Sequence, residues 1–288
     1  MKLLQFLAAK LLRAFARRMK ASFVYDTAQY PLRAREIRHV DTPQGRARAL
    51  FYWPLVKGDA LLPLYLNLHG GGFVAGVPEH DDSYCQRLAH NLGCLVGFAV
   101  LEWLADKAPE LGIDPWRMAV GGHSAGGNLA TGVAALAREH RRLRVVHQVI
   151  DYAVLDLAAP GQSKTSALEK PLLGPRLMDF FMGCYLPDPA QALDPLASPA
   201  LASIEQLRGL PPTTLITAEY DVLRAEGQVY AAKLRQAGVV VQERMFADCD
   251  HMFTHLGPAA VAEQGWQLIE ERLAAAFSDQ RVAMAVSD

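Results

Sequence analysis

The sequence predicts an α/β fold with a mostly parallel central sheet and helices on both faces. Apolar strand-like runs alternate with helical patterns from about residue 60 to the C-terminus, which is the signature of strand–helix–strand units. Glycine-rich turns follow two of the strand-like runs, at Gly70-Gly71-Gly72 and Gly121-Gly122. A hydrophobic content of 51% over 288 residues supplies a large core. No internal repeat or low-complexity segment interrupts the pattern.

Taken in order, residues 1–20 carry six basic residues and no acidic one, with Leu4, Leu7, Leu11, Phe15 and Met19 at helical spacing. The favoured reading is an amphipathic helix packed on the domain. A membrane-surface helix is the less favoured one, and no cleavage site supports a signal peptide. Residues 36–53 alternate enough to predict two antiparallel strands around a Pro43-Gln44-Gly45 turn. Leu64–His69 reads as a buried strand, Asp81–Leu92 as a helix, Cys94–Val96 as the start of a strand and Val100–Asp106 as helical. Further strands are predicted at 117–121, within Val145–Leu157, at Thr213–Ala218 and at Val239–Phe246. Helices are predicted at Asn128–His140, Val222–Ala237 and Pro258–Phe277, with a loose tail at Ser278–Asp288.

Composition narrows the function. A formal net charge of −1 implies no general affinity for nucleic acid. No run reaches the ~18 apolar residues of a membrane span. Cys85, Cys94, Cys184 and Cys249 are scattered without a CxxC pair, so reduced thiols in a cytoplasmic protein are expected. No cofactor and no metal are expected. The oligomeric state is left open, a homodimer being one arrangement.

Met118–Asn128 is the stretch that carries chemistry. Gly122-His123-Ser124-Ala125-Gly126 fits G-x-S-x-G, in which a serine sits on a sharp, strained turn between strand and helix. Small residues two positions either side let neighbouring backbone approach, and the Ala125 amide at the helix N-terminus favours developing negative charge. The Gly70–Gly72 loop lacks the Gly-Lys-Ser/Thr ending and the G-x-G-x-x-G spacing of phosphate cradles, so a loop presenting N–H groups to an oxyanion is the better reading. A serine hydroxyl needs a base, and the base an orienting carboxylate, in the chain order serine, acid, histidine. Asp221, in a turn after a strand, and His251, in a loop after the last strand, fit that order. Glu219, Asp156, Asp250 and His255 are the rivals. His251 and His255 share i, i+4 spacing, but without the glutamate of H-E-x-x-H a zinc site is not expected. His123 is too close along the chain to serve Ser124 and is expected to pack under the elbow.

His69-Gly-Gly-Gly-Phe73, Gly122–Gly127, Asp194-Pro-Leu-Ala-Ser-Pro199, Ala218–Arg224 and the His251 segment occur in one order over roughly residues 40–277. On these motifs the chain resembles the hormone-sensitive-lipase group of α/β-hydrolases, the bacterial family IV esterases. The resemblance implies an α/β-hydrolase fold with a helical cap, formed by residues 1–35 and an insertion at about 165–190, over a core spanning 36–277. It implies Ser124 as nucleophile, His251 as base, Asp221 as orienter, and an oxyanion hole from the amides of Gly71, Gly72 and Ala125. Leu172, Leu173, Leu177, Met178, Phe180, Phe181 and Met182 offer an apolar lining, and Phe73, His123, Leu177 and Phe181 are assigned to the substrate pocket. The expected reaction is hydrolysis of short- to medium-chain carboxylic esters through an acyl-enzyme. A formamidase-type amidase, whose elbow also tolerates histidine before serine, is the second enzyme reading. The chain departs from the family between Cys94 and Trp103, where it is roughly twenty residues short, although a parallel crossover needs only ~10–12. That predicts a shortened strand next to the elbow strand and keeps a catalytically impaired or ligand-binding homologue as a third reading.

Overall fold

The computed structural model describes residues 3–16, 27–42, 45–55 and 60–278. An eight-stranded sheet has the order β1-β2-β4-β3-β5-β6-β7-β8. β1 (Ala34–Thr42) and β2 (Gly45–Trp53) form an antiparallel hairpin, paired from Ala34↔Trp53 to Thr42↔Gly45. Pro43 and Gln44 of the expected turn lie outside the described residues. β2 also pairs antiparallel with β4 (Leu95–Phe98); β3 (Leu62–Leu68), β5 (Ile113–His123), β6 (Val145–Asp151), β7 (Thr213–Ala218) and β8 (Val241–Phe246) continue the sheet in parallel. β6 and β7 are buried along nearly their whole length, as parallel strands covered on both faces must be. Half-buried and exposed residues alternate along β1, which marks the solvated edge.

The helices are α1 (Leu3–Ala16), α2 (Asp82–Leu92), α3 (Leu101–Leu111), α4 (Ala125–Ala137), α5 (Pro175–Tyr185), α6 (Ile204–Leu207), α7 (Arg224–Gln236), α8 (Phe253–Leu256) and α9 (Ala259–Ser278). Two apolar clusters form, one per face of the sheet. Leu104, Ala130, Ala134, Tyr230 and Leu234 of α3, α4 and α7 pack on one face. Tyr84, Leu88, Trp266, Ile269 and Leu273 of α2 and α9 pack on the other. A third, smaller cluster joins Met178 of α5 to Val154, Leu157 and Val222 at the C-terminal end of the strands.

Two expectations need correction. The short connection does shorten β4 to four residues, and only Ala99 and Val100 separate it from α3. That strand is not next to the elbow strand, however, because β3 lies between β4 and β5. β4 still pairs on both sides, since Gly97 and its neighbours need only three register positions with each partner. The second correction concerns α1. Leu7 and Leu11 of the expected apolar stripe are exposed, whereas Ala9 and Ala16 are buried and Leu12 faces a cavity. Small residues let the helix lie close, and Arg13 Nε donates to the Val74 carbonyl at 2.6 Å. Met19 of the stripe lies outside the described residues, as do the side chains of Leu4 and Phe15 and the tail beyond Ser278. No helix among the described residues is long and apolar enough to cross a membrane.

Candidate active site

β5 ends at His123, and α4 begins at Ala125. Ser124, the single residue between them, takes φ 55° and ψ −124°. Positive φ in a non-glycine residue costs on the order of 1–3 kcal/mol and persists only where the surroundings impose it. Here the Ser124 amide donates to the Asp151 carbonyl at 2.9 Å, and the Asn128 amide donates to the Ser124 carbonyl at 3.2 Å. The flanking glycines are required by contact. A Cβ on Gly126 would stand 1.8 Å from the Leu68 carbonyl oxygen, and one on Gly122 would stand 2.2 Å from it. Asn128 fastens the start of α4 from inside, donating through Nδ2 to the carbonyls of Val154 and Ala197 at 2.9 and 2.7 Å.

The loops after β7 and β8 meet this turn. His251 Nε2 lies 3.0 Å from Ser124 Oγ, and His251 Nδ1 lies 2.7 Å from Asp221 Oδ2. The other Asp221 oxygen accepts the Leu223 amide at 2.9 Å, so the carboxylate is held from both sides. Asp221 and His251 are both buried, which keeps water from competing for the bond between them. With Nδ1–H donating to Asp221, Nε2 is left to accept from the serine hydroxyl. The rivals have other partners. Glu219 accepts the Asp248 amide at 2.9 Å, and Asp156 accepts the amides of Ala158 and Ala159 at 3.0 Å each. Asp250 accepts the His251 amide on one oxygen and the Leu172 amide on the other, both at 2.7 Å. The His251 loop and the segment leading into α5 therefore share one carboxylate.

The glycine loop passes over the elbow. Gly71 and Gly72 have φ 118° and 59°, conformations open to glycine, and a Cβ on Gly72 would collide with the Phe181 ring at 2.4 Å. Among the described residues, the amides of Gly71, Gly72 and Ala125 have no hydrogen-bond acceptor. Gly70 N–H donates to His123 Nε2 at 3.1 Å, and its Cα lies so close to that imidazole that a Cβ would fall 2.8 Å from the ring. His123 is thus a buried strut between elbow and glycine loop, and burial pushes its pKa down to about 3, leaving the ring neutral.

Two cavities open on either side of Ser124. A chamber of about 400 Å³ is bounded by His69–Gly72, His123, His251, Leu172, Leu173, Leu177 and Phe181, with Leu12 and Ala16 of α1 closing one side. A slot of about 40 Å³ lies among Phe73, Val154, Leu157, Met178, Met182 and Leu223. Phe180, expected in the lining, borders neither and packs near Phe181. Phe73 stacks flat on Tyr185 of α5, ring centroids 3.9 Å apart, so the loop is packed directly against the helix above it. Residues that sequence reasoning did not single out also shape the site. Tyr152, at φ 34°, places its ring edge-on to His251 at 4.9 Å and its hydroxyl 2.6 Å from His255 Nδ1. Asp81 lies beside His123 and His255 at the back of the chamber. Neither belongs to a short motif, and only the fold brings them to the serine.

Comparison with known proteins places the chain in a family. The family model described as the alpha/beta hydrolase fold matches residues 96–255. The chain is 33% identical over 241 residues to an ethyl acetate hydrolase of Pseudomonas putida, covering 76% of this chain and 74% of that one. It is 36% identical over 213 residues to the carboxylesterase NlhH of Mycobacterium tuberculosis, covering 66% of each. The crystal structure of EstE1, a thermostable carboxylesterase from a metagenomic library, superposes with a TM-score of 0.82 at 32% identity, covering 95% of this chain and 98% of that one. The chain belongs to the hormone-sensitive-lipase-like group, bacterial family IV, of the α/β-hydrolase superfamily.

Proposed function

We propose that the protein is a serine carboxylesterase acting on small carboxylic esters through an acyl-enzyme. The observation that carries this reading is the unbroken run Ser124 Oγ–His251–Asp221, with contacts of 3.0 and 2.7 Å, set beneath a glycine loop with free amides. His251 takes the hydroxyl proton as Ser124 attacks the ester carbonyl, and Asp221 stabilises the resulting imidazolium. The carbonyl oxygen, now negative, is held by the amides of Gly71, Gly72 and Ala125, each worth roughly 3–4 kcal/mol to the transition state. His251 returns its proton to the leaving alcohol. It then activates a water that releases the acid and frees the serine.

The two cavities restrict the substrate. One substituent of the ester must fit the slot of about 40 Å³, and the other can occupy the chamber of about 400 Å³. A slot closed by Met178, Leu157 and Leu223 holds a group of acetyl or propionyl size. The Pseudomonas putida relative, named for ethyl acetate, is consistent with that limit. Against the impaired-homologue reading, β4 is separated from the elbow strand by β3.

The test is turnover of p-nitrophenyl acetate, butyrate and octanoate by the protein and by Ser124→Ala, with folding checked by circular dichroism. Serine-dependent hydrolysis that falls from acetate to octanoate is expected. Equal rates for the two folded proteins would overturn the reading, and faster turnover of a formamide than of any ester would favour the amidase instead.

A further inference from the structure

At the back of the chamber three side chains that the hydrolytic mechanism does not use converge on one point. They come from distant parts of the chain: Asp81 from the turn before α2, His123 from the end of β5 and His255 from α8. Asp81 Oδ1 lies 3.6 Å from His123 Nε2 and 3.4 Å from His255 Nε2, and all three atoms lie within 4.8 Å of one another. A four-coordinate zinc with ligand bonds of about 2.0–2.1 Å sets its donor atoms roughly 3.3–3.4 Å apart, so two of the three edges already approach that spacing. Asp81 Oδ1 is fully buried, and the two imidazole nitrogens are its near polar neighbours.

The surroundings resemble those that fix metal ligands. Asp81 Oδ2 accepts Asn67 Nδ2 at 2.7 Å, and His255 Nδ1 sits 2.6 Å from the Tyr152 hydroxyl. A carboxylate held by one oxygen and an imidazole held by its far nitrogen are the outer contacts that orient ligands toward an ion. All three residues also line the chamber, which gives an entry path. Two imidazoles and one carboxylate suit a divalent first-row transition ion.

We propose that Asp81, His123 and His255 form a binding site for Zn²⁺, and that the ion inhibits the esterase. The inhibition follows from His123, whose Nε2 lone pair accepts the Gly70 amide at 3.1 Å. A metal takes that lone pair, so the Gly70 amide loses its acceptor and the glycine loop shifts from the position the oxyanion requires. Ion binding stands independently of the hydrolytic reading; the inhibition rests on it.

Cobalt(II) reports the site directly, because a four-coordinate Co²⁺ ion absorbs strongly in the visible and a six-coordinate one weakly. One equivalent of Co²⁺ is expected to give the intense spectrum, and Zn²⁺, which such donors bind more tightly, to abolish it. Ser124→Ala, without hydrolytic activity, keeps the spectrum, so binding is read even if the esterase reading fails. His255→Gln and Asp81→Asn, each checked for folding, both lose it. In the unaltered protein one equivalent of Zn²⁺ lowers p-nitrophenyl acetate turnover by about tenfold, the scale of one lost hydrogen bond, and EDTA restores it. Weak six-coordinate absorption, or a strong spectrum that survives His255→Gln but not His251→Gln, overturns the site. Stoichiometric binding without loss of turnover overturns the inhibition.

Discussion

Ser124 occupies a backbone conformation that an isolated serine would avoid, and three contacts impose it: the two amide bonds at Ser124 and the close approach of Leu68 to Gly126. Gly126→Ala would drive a methyl into the Leu68 carbonyl, and neither backbone can yield without opening the elbow. The expected result is loss of hydrolysis together with a lower melting temperature, read by thermal unfolding beside the ester assay. Asp221→Asn keeps the volume but cannot accept the His251 Nδ1–H in the same way, so the imidazole loses its tautomer. Turnover should fall on the order of 10⁴-fold with little change in melting temperature. If melting collapses instead, Asp221 acts as a structural anchor rather than an orienter.

At the scale of elements, β6 carries His147 into the sheet, where its Nε2 lies 2.9 Å from Thr214 Oγ1 on β7. Burial, aided by the nearby positive charge of Arg272, pushes its pKa down to about 4. The unfolded chain binds a proton near pH 6.5 and the folded one does not, so this contribution is complete above 6.5 and is lost as pH falls toward 4. About 2 kcal/mol should disappear between pH 6.5 and 5, and His147→Gln should flatten that slope in urea unfolding. Elements were also the scale at which the sequence was most legible. The alternation of strands and helices is periodic, so β3, β5, β7, α2 and α9 could be read within a few residues. Strand order was not, because β4's place between β2 and β3 depends on which edges meet after the helices pack. Ser124, Asp221 and His251 could be named from motifs and chain order. Asp81 and Tyr152 could not, and His255 only as a rival to His251, since each meets His255 from more than 100 residues away in a pattern that only folding creates.

For the whole molecule, one ion cluster joins the first helix of the core to the last. The Arg87 side chain on α2, 4% exposed, donates to Glu263 at 2.6 and 2.9 Å and to Glu270 at 2.6 and 3.1 Å on α9. Replacing it by methionine keeps the stem but leaves two carboxylates facing each other, one of them half-exposed and partly screened by water. A loss of about 2–4 kcal/mol is expected, a drop of several degrees in melting temperature for a chain this size. A second coupling, at the C-terminal ends of the strands, bears on kinetics. Because Asp250 grips both His251 and Leu172, a substrate bulky enough to push α5 outward also drags on the base. Such esters should therefore be penalised in kcat as well as in KM, whereas Asp250→Ala should uncouple the two and leave bulk to act on KM alone.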